Sequence, residues 1–379
     1  MVEMNRRYFL GAATMAQARG AAPASRKVVI CLIDGFGPEY VAKSEMPNLR
    51  RAMQAGRYTI GQGAMPSLTN VNSASLATGS FPEAHGITAN TFFDPDLGRI
   101  VEMADAKYLR RPTILASARR KGWKTAFVGA KEKIRSLIGA GADASISAEK
   151  QGIRMYEAET TYWVFEQGRK ALRRPDVDLL YLTTSDYIMH THGPETEESL
   201  EHLRNLDVHL GRILDDQPKL ELYLCADHGM NAKTRAVDPE RLLTKHGLAA
   251  RAVPAIADTH KVHHKDLGGS LYIDLAKPED IAAAMEIFKV EPGIEAVLPR
   301  AEACRRFRLL PERTGDLFLI GDRITALGAL DQERRQVAVR THGSLHEAAV
   351  PLLVYGRKWK GKLETSVDLT ADRVWEERV

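Results

Sequence analysis

The feature that most constrains this chain is a set of short, continuous apolar runs, at residues 27–33, 178–183 and 220–226, each followed directly by a turn that carries an acid. None alternates polar with apolar, as a half-exposed strand would. All are too short for a buried helix. A run of this kind is a strand covered on both faces, the condition of a parallel sheet flanked by helices. The shorter run at 124–128, behind a helical stretch at 113–121, fits the same sheet. The expected fold is therefore α/β, with a mostly parallel sheet between helices. In such sheets ligands collect beyond the carboxyl ends of the strands. Asp34, Asp186 and Asp227 sit at such ends, and an Asp before Gly, as at Asp34-Gly35, is also a common turn former.

Between the runs the helical signals are local. Met46-Pro47-Asn48-Leu49 opens one helix, and Leu200, Leu203, Leu206, Leu210 and Ile213 form the apolar stripe of another. After about Arg251 the strand–helix rhythm changes. Strands at 270–275 and 293–298 with helices at 278–288 and 301–307 predict a small α+β cap insertion. The division expected is residues 1–26 as a leader, 27–250 and 336–379 as the two parts of a hydrolase core, and 251–335 as the cap. The chain is expected to rejoin the main sheet near 336–339 and to close with the run at 350–354.

Composition removes several function classes. A net charge of +4 over 379 residues, with no basic block interleaved with aromatics, does not suggest nucleic-acid binding. The three cysteines provide neither a disulfide framework nor a thiolate metal signature. No stretch approaches the roughly 20 apolar residues needed to span a bilayer. The start, Asn5-Arg6-Arg7-Tyr8-Phe9-Leu10-Gly11, followed by Ala16-Gln17-Ala18, resembles a twin-arginine export signal and predicts a periplasmic location. A basic N-terminus on a cytoplasmic enzyme is the alternative.

The candidate nucleophile lies in Met65-Pro-Ser-Leu-Thr69-Asn. Pro66 and Ser67 break the preceding segment, residues 70–78 read as a short helix ending at Gly79, and Thr69 falls at the expected N-cap. There its hydroxyl would lie beside unpaired backbone N–H groups that favour an alkoxide. A capping Thr is otherwise structural. What gives it weight is the set Asp34, Asp186, His190, Asp227, His228 and His342. Asp186 and His190, spaced i and i+4, share one helical face. His and Asp without thiolate suit zinc or another first-row divalent ion, and two such ions would clamp an in-line phosphoryl displacement.

Taken in order, Asp34-Gly, Thr69-Asn, Asp186-x-x-x-His190, Asp227-His228-Gly-Met and His342-Gly resemble the alkaline phosphatase superfamily. Within it they resemble the type I phosphodiesterase/nucleotide pyrophosphatase branch. Met65-Pro-Ser-x-Thr-Asn, Ala130-Lys-x-Lys-x-Arg135, residues 226–233, Val262-His-His264, residues 300–304 and Gly315-Asp316 are similar to the phosphonoacetate hydrolases of that branch. The likeness covers about residues 27–355. It implies two zinc ions, one on Asp34, Thr69, Asp227 and His228 and one on Asp186, His190 and His342. It also implies Asn90 as a phosphonate donor, and Lys131 and Lys133 as partners of the substrate carboxylate. His263 and His264 receive no ligand role. One departure stands out: the family pattern has Gly after His-Gly, and this chain has Ser344.

The implied reaction cleaves phosphonoacetate to acetate and phosphate through a phospho-threonine. Lys131 and Lys133 would meet the charge growing on the leaving enolate. If they lie on an extended strand, the i, i+2 spacing turns both to one face. A solvated pair flanking Glu132 is the plainer reading of the same residues. The expected partner is a small anionic phosphonate, with a homodimer left open and no nucleic-acid or membrane partner. The competing activity is a phosphodiesterase or nucleotide pyrophosphatase on the same metals and Thr69, with Phe92-Phe93 supplying a slot for a base. A sulfatase does not fit the nucleophile stretch, and a non-catalytic anion-binding protein would not need every ligand position filled.

Overall fold

The strand Val28–Leu32 (β1) is buried along its whole length and lies at the centre of a seven-stranded sheet. The other members are Arg57–Gln62 (β2), Thr125–Gly129 (β3), Ala144–Ser147 (β4), Leu179–Thr183 (β5), Glu221–Cys225 (β6) and Ala349–Tyr355 (β7). Their spatial order is β2-β7-β6-β1-β5-β3-β4. The five strands from β6 to β4 are parallel, while β7 runs antiparallel to both β6 and β2. The computed structural model describes residues 27–256 and 265–371. The leader at 1–26 and the pair His263 and His264 lie outside the described residues.

The α/β fold expected from the apolar runs is the one found. β1, β5 and β6 are buried on both faces because helices cover them on each side. One of these, Glu197–Asp216, buries Leu203, Leu206, Leu210 and Ile213, each such side chain contributing about 1.5–3 kcal/mol on leaving water. The same helix buries Asp207, whose carboxylate accepts from the backbone N–H groups of Asn48 and Leu49 at 3.0 and 2.8 Å. Asp207 thereby satisfies the open end of the helix Pro47–Ala55, which Pro47 starts without a side-chain cap of its own.

A second, four-stranded antiparallel sheet has the order Ala250–Pro254, Ser270–Leu275, Leu317–Gly321, Ile294–Pro299. Its helix Ile281–Lys289 packs with it around Leu271, Ile273, Phe288, Leu317 and Leu319, an apolar cluster separate from the main core. A third sheet joins Thr325–Leu327, Asn231–Val237 and Arg334–Thr341. This corrects one expectation: residues 336–339 do not rejoin the main sheet. They pair antiparallel with Asn231–Val237, the strand that follows β6, and only β7 returns to the main sheet. The short run at 336–339 fits either sheet by pattern, so its partner is a tertiary choice. Among the described residues, no helix is long and apolar enough to cross a membrane.

Candidate active site

The registers of the central strands decide where the acids emerge. Leu32 of β1 lies level with Thr183 of β5 and with Cys225 of β6. The three chains therefore leave the sheet side by side, and Asp34, Asp186 and Asp227 come out on one rim. Gly35 holds φ at +72°, and a Cβ there would lie 3.0 Å from the Cβ of Asp186. Glycine is required at this turn for both reasons. Gly35 N–H and His228 N–H both donate to Asp227 Oδ1 at 3.0 Å, which aims Oδ2 inward.

Thr69 is the first residue of the helix Thr69–Thr78, and Leu68 occupies the cap position, so the N-cap expectation for Thr69 is corrected by one residue. No side chain of the helix's own caps it. Asn90 does this from another segment, its Oδ1 accepting from Asn70 N–H at 3.1 Å. That contact orients the Asn90 amide and leaves Nδ2 as its donating end. The Thr69 hydroxyl is consequently free of capping and lies 3.2 Å from His228 Nε2.

Three buried histidines share one wiring. His190 Nδ1 donates to the Arg340 carbonyl at 2.7 Å, His228 Nδ1 to the Gly229 carbonyl at 2.9 Å, and His342 Nδ1 to the Ser67 carbonyl at 2.9 Å. A carbonyl only accepts, so each Nδ1 carries the proton and each Nε2 presents a lone pair. His190 Nε2 lies 3.0 Å from Asp186 Oδ2, and His228 Nε2 lies 3.4 Å from Asp34 Oδ1 and 3.3 Å from Asp227 Oδ2. The rings of His228 and His342 stack with centroids 3.4 Å apart. Lone pairs facing carboxylates call for a cation between them.

The ligand atoms form two groups, Asp34, Asp227 and His228, and Asp186, His228 and His342, each within 4.8 Å. His228 touches both, and His190 reaches the second through Asp186. Asp34 Oδ1 and Asp227 Oδ2 are buried with no hydrogen-bond partner. Burial raises Asp34 well above the usual carboxylate range, helped by Asp186 and Asp227, and pushes Asp227 up to about 6. Burial also depresses His228, and His342 still more strongly with His228 and His190 beside it, so both rings stay neutral. Orphaned carboxylate oxygens, neutral imidazoles and no thiolate fit divalent first-row metals.

A pH dependence follows with a defined sign. A metal must displace the proton that Asp227 holds below about 6. Zinc affinity is expected to rise from pH 5 through pH 6.5, and to go on rising as the raised Asp34 also gives up its proton, measured by competition with a chromogenic chelator. A flat profile across that window would contradict the role of Asp227.

The lysines differ from the strand expectation. β3 ends at Gly129, Lys131 caps a helical turn, and Lys133 lies within that turn, so they are not an i, i+2 pair on one strand face. The chain turns because it has left the sheet. Lys131 Nζ donates to Asp34 Oδ2 at 2.8 Å and to Asp186 Oδ1 at 2.7 Å, bridging the two groups. Burial opposes its charge, yet the two carboxylates together outweigh that and hold it raised. Lys133 Nζ lies 3.7 Å from Glu102, on the hairpin strand after Asn90. Phe92 is buried edge-on to Tyr108 under the Arg313 guanidinium, and Arg251 covers the ring of Phe93 at 3.6 Å. Phe92 and Phe93 nonetheless line a cavity of about 180 Å³ together with Val253, Tyr272 and Arg313, so open space remains beside the two rings.

Sequence reasoning missed Glu347 and Lys233, a buried pair tied to the turns after His228 and His342. The Ser344-x-x-Glu347 spacing of a capping box was the available signal, and the structure has that box.

Residues 28–345 match the family described as Type I phosphodiesterase / nucleotide pyrophosphatase. Curated relatives include human ectonucleotide pyrophosphatase/phosphodiesterase family member 1, 26% identical over 222 residues, covering 52% of this chain and 23% of that protein. Venom phosphodiesterase CdcPDE of Crotalus durissus collilineatus is 28% identical over 221 residues, covering 54% and 26%. The chain thus spans about a quarter of the length of these relatives. Among solved structures, phosphonoacetate hydrolase from Sinorhizobium meliloti 1021 in complex with phosphonoformate superposes with a TM-score of 0.83 at 32% identity, covering 93% of this chain and 96% of that one. Murine ectonucleotide pyrophosphatase/phosphodiesterase 5, at a TM-score of 0.70 and 18% identity over 93% and 95%, shares the fold. A matched span that contains Thr69 and His342 together with Asp34, Asp186 and Asp227, the three acids that leave the central strands on one rim, leads to one conclusion: the chain belongs to the type I phosphodiesterase/nucleotide pyrophosphatase family of the alkaline phosphatase superfamily.

Proposed function

We propose that this chain is a two-zinc hydrolase that cleaves the carbon–phosphorus bond of phosphonoacetate, releasing acetate and phosphate. The observation that carries the reading is the buried Lys131 ammonium set between Asp34 and Asp186, with Asp34 also 3.4 Å from the His228 Nε2 that faces the Thr69 hydroxyl. A fixed cation beside the nucleophile suits a small substrate with charge at both ends. The likeness to the Sinorhizobium meliloti enzyme, whose complex with phosphonoacetate superposes at a TM-score of 0.82, supports the same choice.

In this mechanism Asp34, Thr69, Asp227 and His228 would hold one ion, and Asp186, His190 and His342 the other. Bound there, the metals would supply Lewis acidity toward the phosphonate oxygens and lower the pKa of the nucleophile. Thr69 Oγ1 attacks phosphorus from the start of its helix, where backbone dipoles favour the alkoxide. Asn90, oriented by Asn70 N–H, donates Nδ2 to a phosphonate oxygen. The Oγ–P bond forms as the P–C bond breaks. Carbon leaves with the electron pair as the enolate of acetate, which then takes a proton from water. Lys131 and Lys133 bind the substrate carboxylate and meet the enolate charge, and water then hydrolyses the phospho-threonine to phosphate.

Three substrates test this directly. Acetate and phosphate release from phosphonoacetate is expected to exceed hydrolysis of bis-nitrophenyl phosphate and of nitrophenyl phosphate in kcat/KM. A wild-type enzyme that leaves phosphonoacetate intact and cleaves the diester would transfer the assignment to phosphodiesterase. Asp186→Ala and His342→Ala are each expected to hold one zinc fewer by elemental analysis, with the other retained.

A further inference from the structure

Between the turns that follow His228 and His342 lies a buried salt bridge. Lys233 Nζ donates to Glu347 Oε1 at 2.9 Å, and both side chains are fully buried. Asn231 Nδ2 donates to the same oxygen at 2.7 Å. Ser344 N–H and Ser344 Oγ donate to Glu347 Oε2 at 2.9 and 2.7 Å. The carboxylate therefore has its full complement of about four donors. These contacts hold Glu347 below the usual carboxylate range although burial alone would raise it. Its backbone carbonyl also accepts from Gly229 N–H at 2.7 Å. One residue thus grips the turn after His228, the strand after that turn, and the turn after His342.

A buried ion pair is weak evidence for stability, because desolvating two charges offsets their attraction. Its effect here is geometric. Asn231 pairs with Thr341 at the end of the strand ladder, one residue from His342 and three from His228. Any slip between these turns changes the offset of the two rings, and with it the distance between the two ligand groups. Two-metal phosphoryl chemistry needs two ions about 3.5–4 Å apart, and the offset of these turns would set where each could be held.

We infer that Lys233 and Glu347 are positioning residues that set the spacing of the two metal groups through the turns bearing His228 and His342, an inference that rests on the two-metal reading above. The test is zinc affinity by chelator competition, the visible spectrum of the cobalt-substituted protein, and Tm, for Glu347→Gln and for the double variant Lys233→Met/Glu347→Leu. The double variant removes both charges and leaves none unpaired. Its Tm is expected to fall moderately, because Asn231 Nδ2 and the two Ser344 donors lose their acceptor, its weaker zinc site to lose about 10–100-fold in affinity, and its cobalt spectrum to change. Activity should fall in kcat more than in KM. A folded double variant with wild-type zinc affinity and cobalt spectrum would overturn the inference, as would loss of affinity in Glu347→Gln that the double variant restores together with Tm. If the double variant does not fold, Ser344→Ala carries the test: weaker zinc binding at unchanged Tm supports the role, and unchanged binding overturns it. Asp186→Ala is the control. Zinc loss in that variant alone leaves the two-metal reading standing and rejects this inference, whereas wild-type protein that binds no zinc rejects both.

Discussion

Thr69→Ala is expected to keep the fold and the Asp and His ligands of both zinc ions while losing about 10⁴-fold or more in kcat/KM, the scale of removing a covalent nucleophile. Stability should barely change. The Thr69 side chain makes no capping bond, and alanine is a good helix former at the position that follows the cap. The backbone N–H of Asn70 keeps its partner in Asn90, so the start of the helix stays satisfied. Thr69→Ser retains a hydroxyl in the same place and is expected to keep a measurable fraction of the activity. Phosphate release by Thr69→Ala at the wild-type rate would remove Thr69 as nucleophile. So would the absence of a labelled phospho-enzyme when the wild type is quenched during turnover.

For Lys131→Ala, a loss of about 100-fold or more in kcat/KM on phosphonoacetate is expected, as for truncating one partner of a buried, hydrogen-bonded charge pair. On an activated aryl phosphate ester the loss should be about 10-fold or less, since a nitrophenolate leaves without help from a cation. Zinc content provides an independent readout. Lys131 Nζ shares Asp34 and Asp186 with the ions that those carboxylates would bind. Removing a competing positive charge should leave zinc affinity unchanged or higher. Equal losses on both substrates would mean that Lys131 serves the phosphoryl end alone, and lower zinc occupancy would mean that it supports the ligands. Lys133→Ala is expected to lose less on phosphonoacetate, because its ammonium is shared with Glu102.

Much of this protein was legible without coordinates, for a physical reason. A strand buried on both faces must be apolar at every position, so β1, β5 and β6 announce themselves as runs, and the polar residue that ends each run marks the rim. The stop at Gly79, with φ of +60°, and the stripe on Glu197–Asp216 are signals of the same local kind. Other features have no local signature. Residues 336–339 carry a strand pattern that two sheets could accept, and the ladder with Asn231–Val237 is chosen only when the chain ends meet. Thr69 lost the cap position to Leu68 by one residue. Cap geometry depends on backbone angles, and here the helix's second N–H was already served by Asn90 from twenty residues away.

The sequence alone determined the fold class and the chemical character of the rim, because burial and turn formation act on neighbours in the chain. Only the tertiary structure decided which lone pairs face each other. The protons of the His190 and His342 rings are fixed by carbonyls from distant segments, Arg340 and Ser67, and that of His228 by its neighbour Gly229. Lys131 was read as one of a pair on a strand, and it instead bridges two aspartates that lie 97 and 55 residues away in the chain. Glu347 carried no role in the sequence, and its buried bond to Lys233 spans 114 residues. A buried charge takes its meaning from the groups that surround it in space. Those groups come together only when the strands at the rim have set their register.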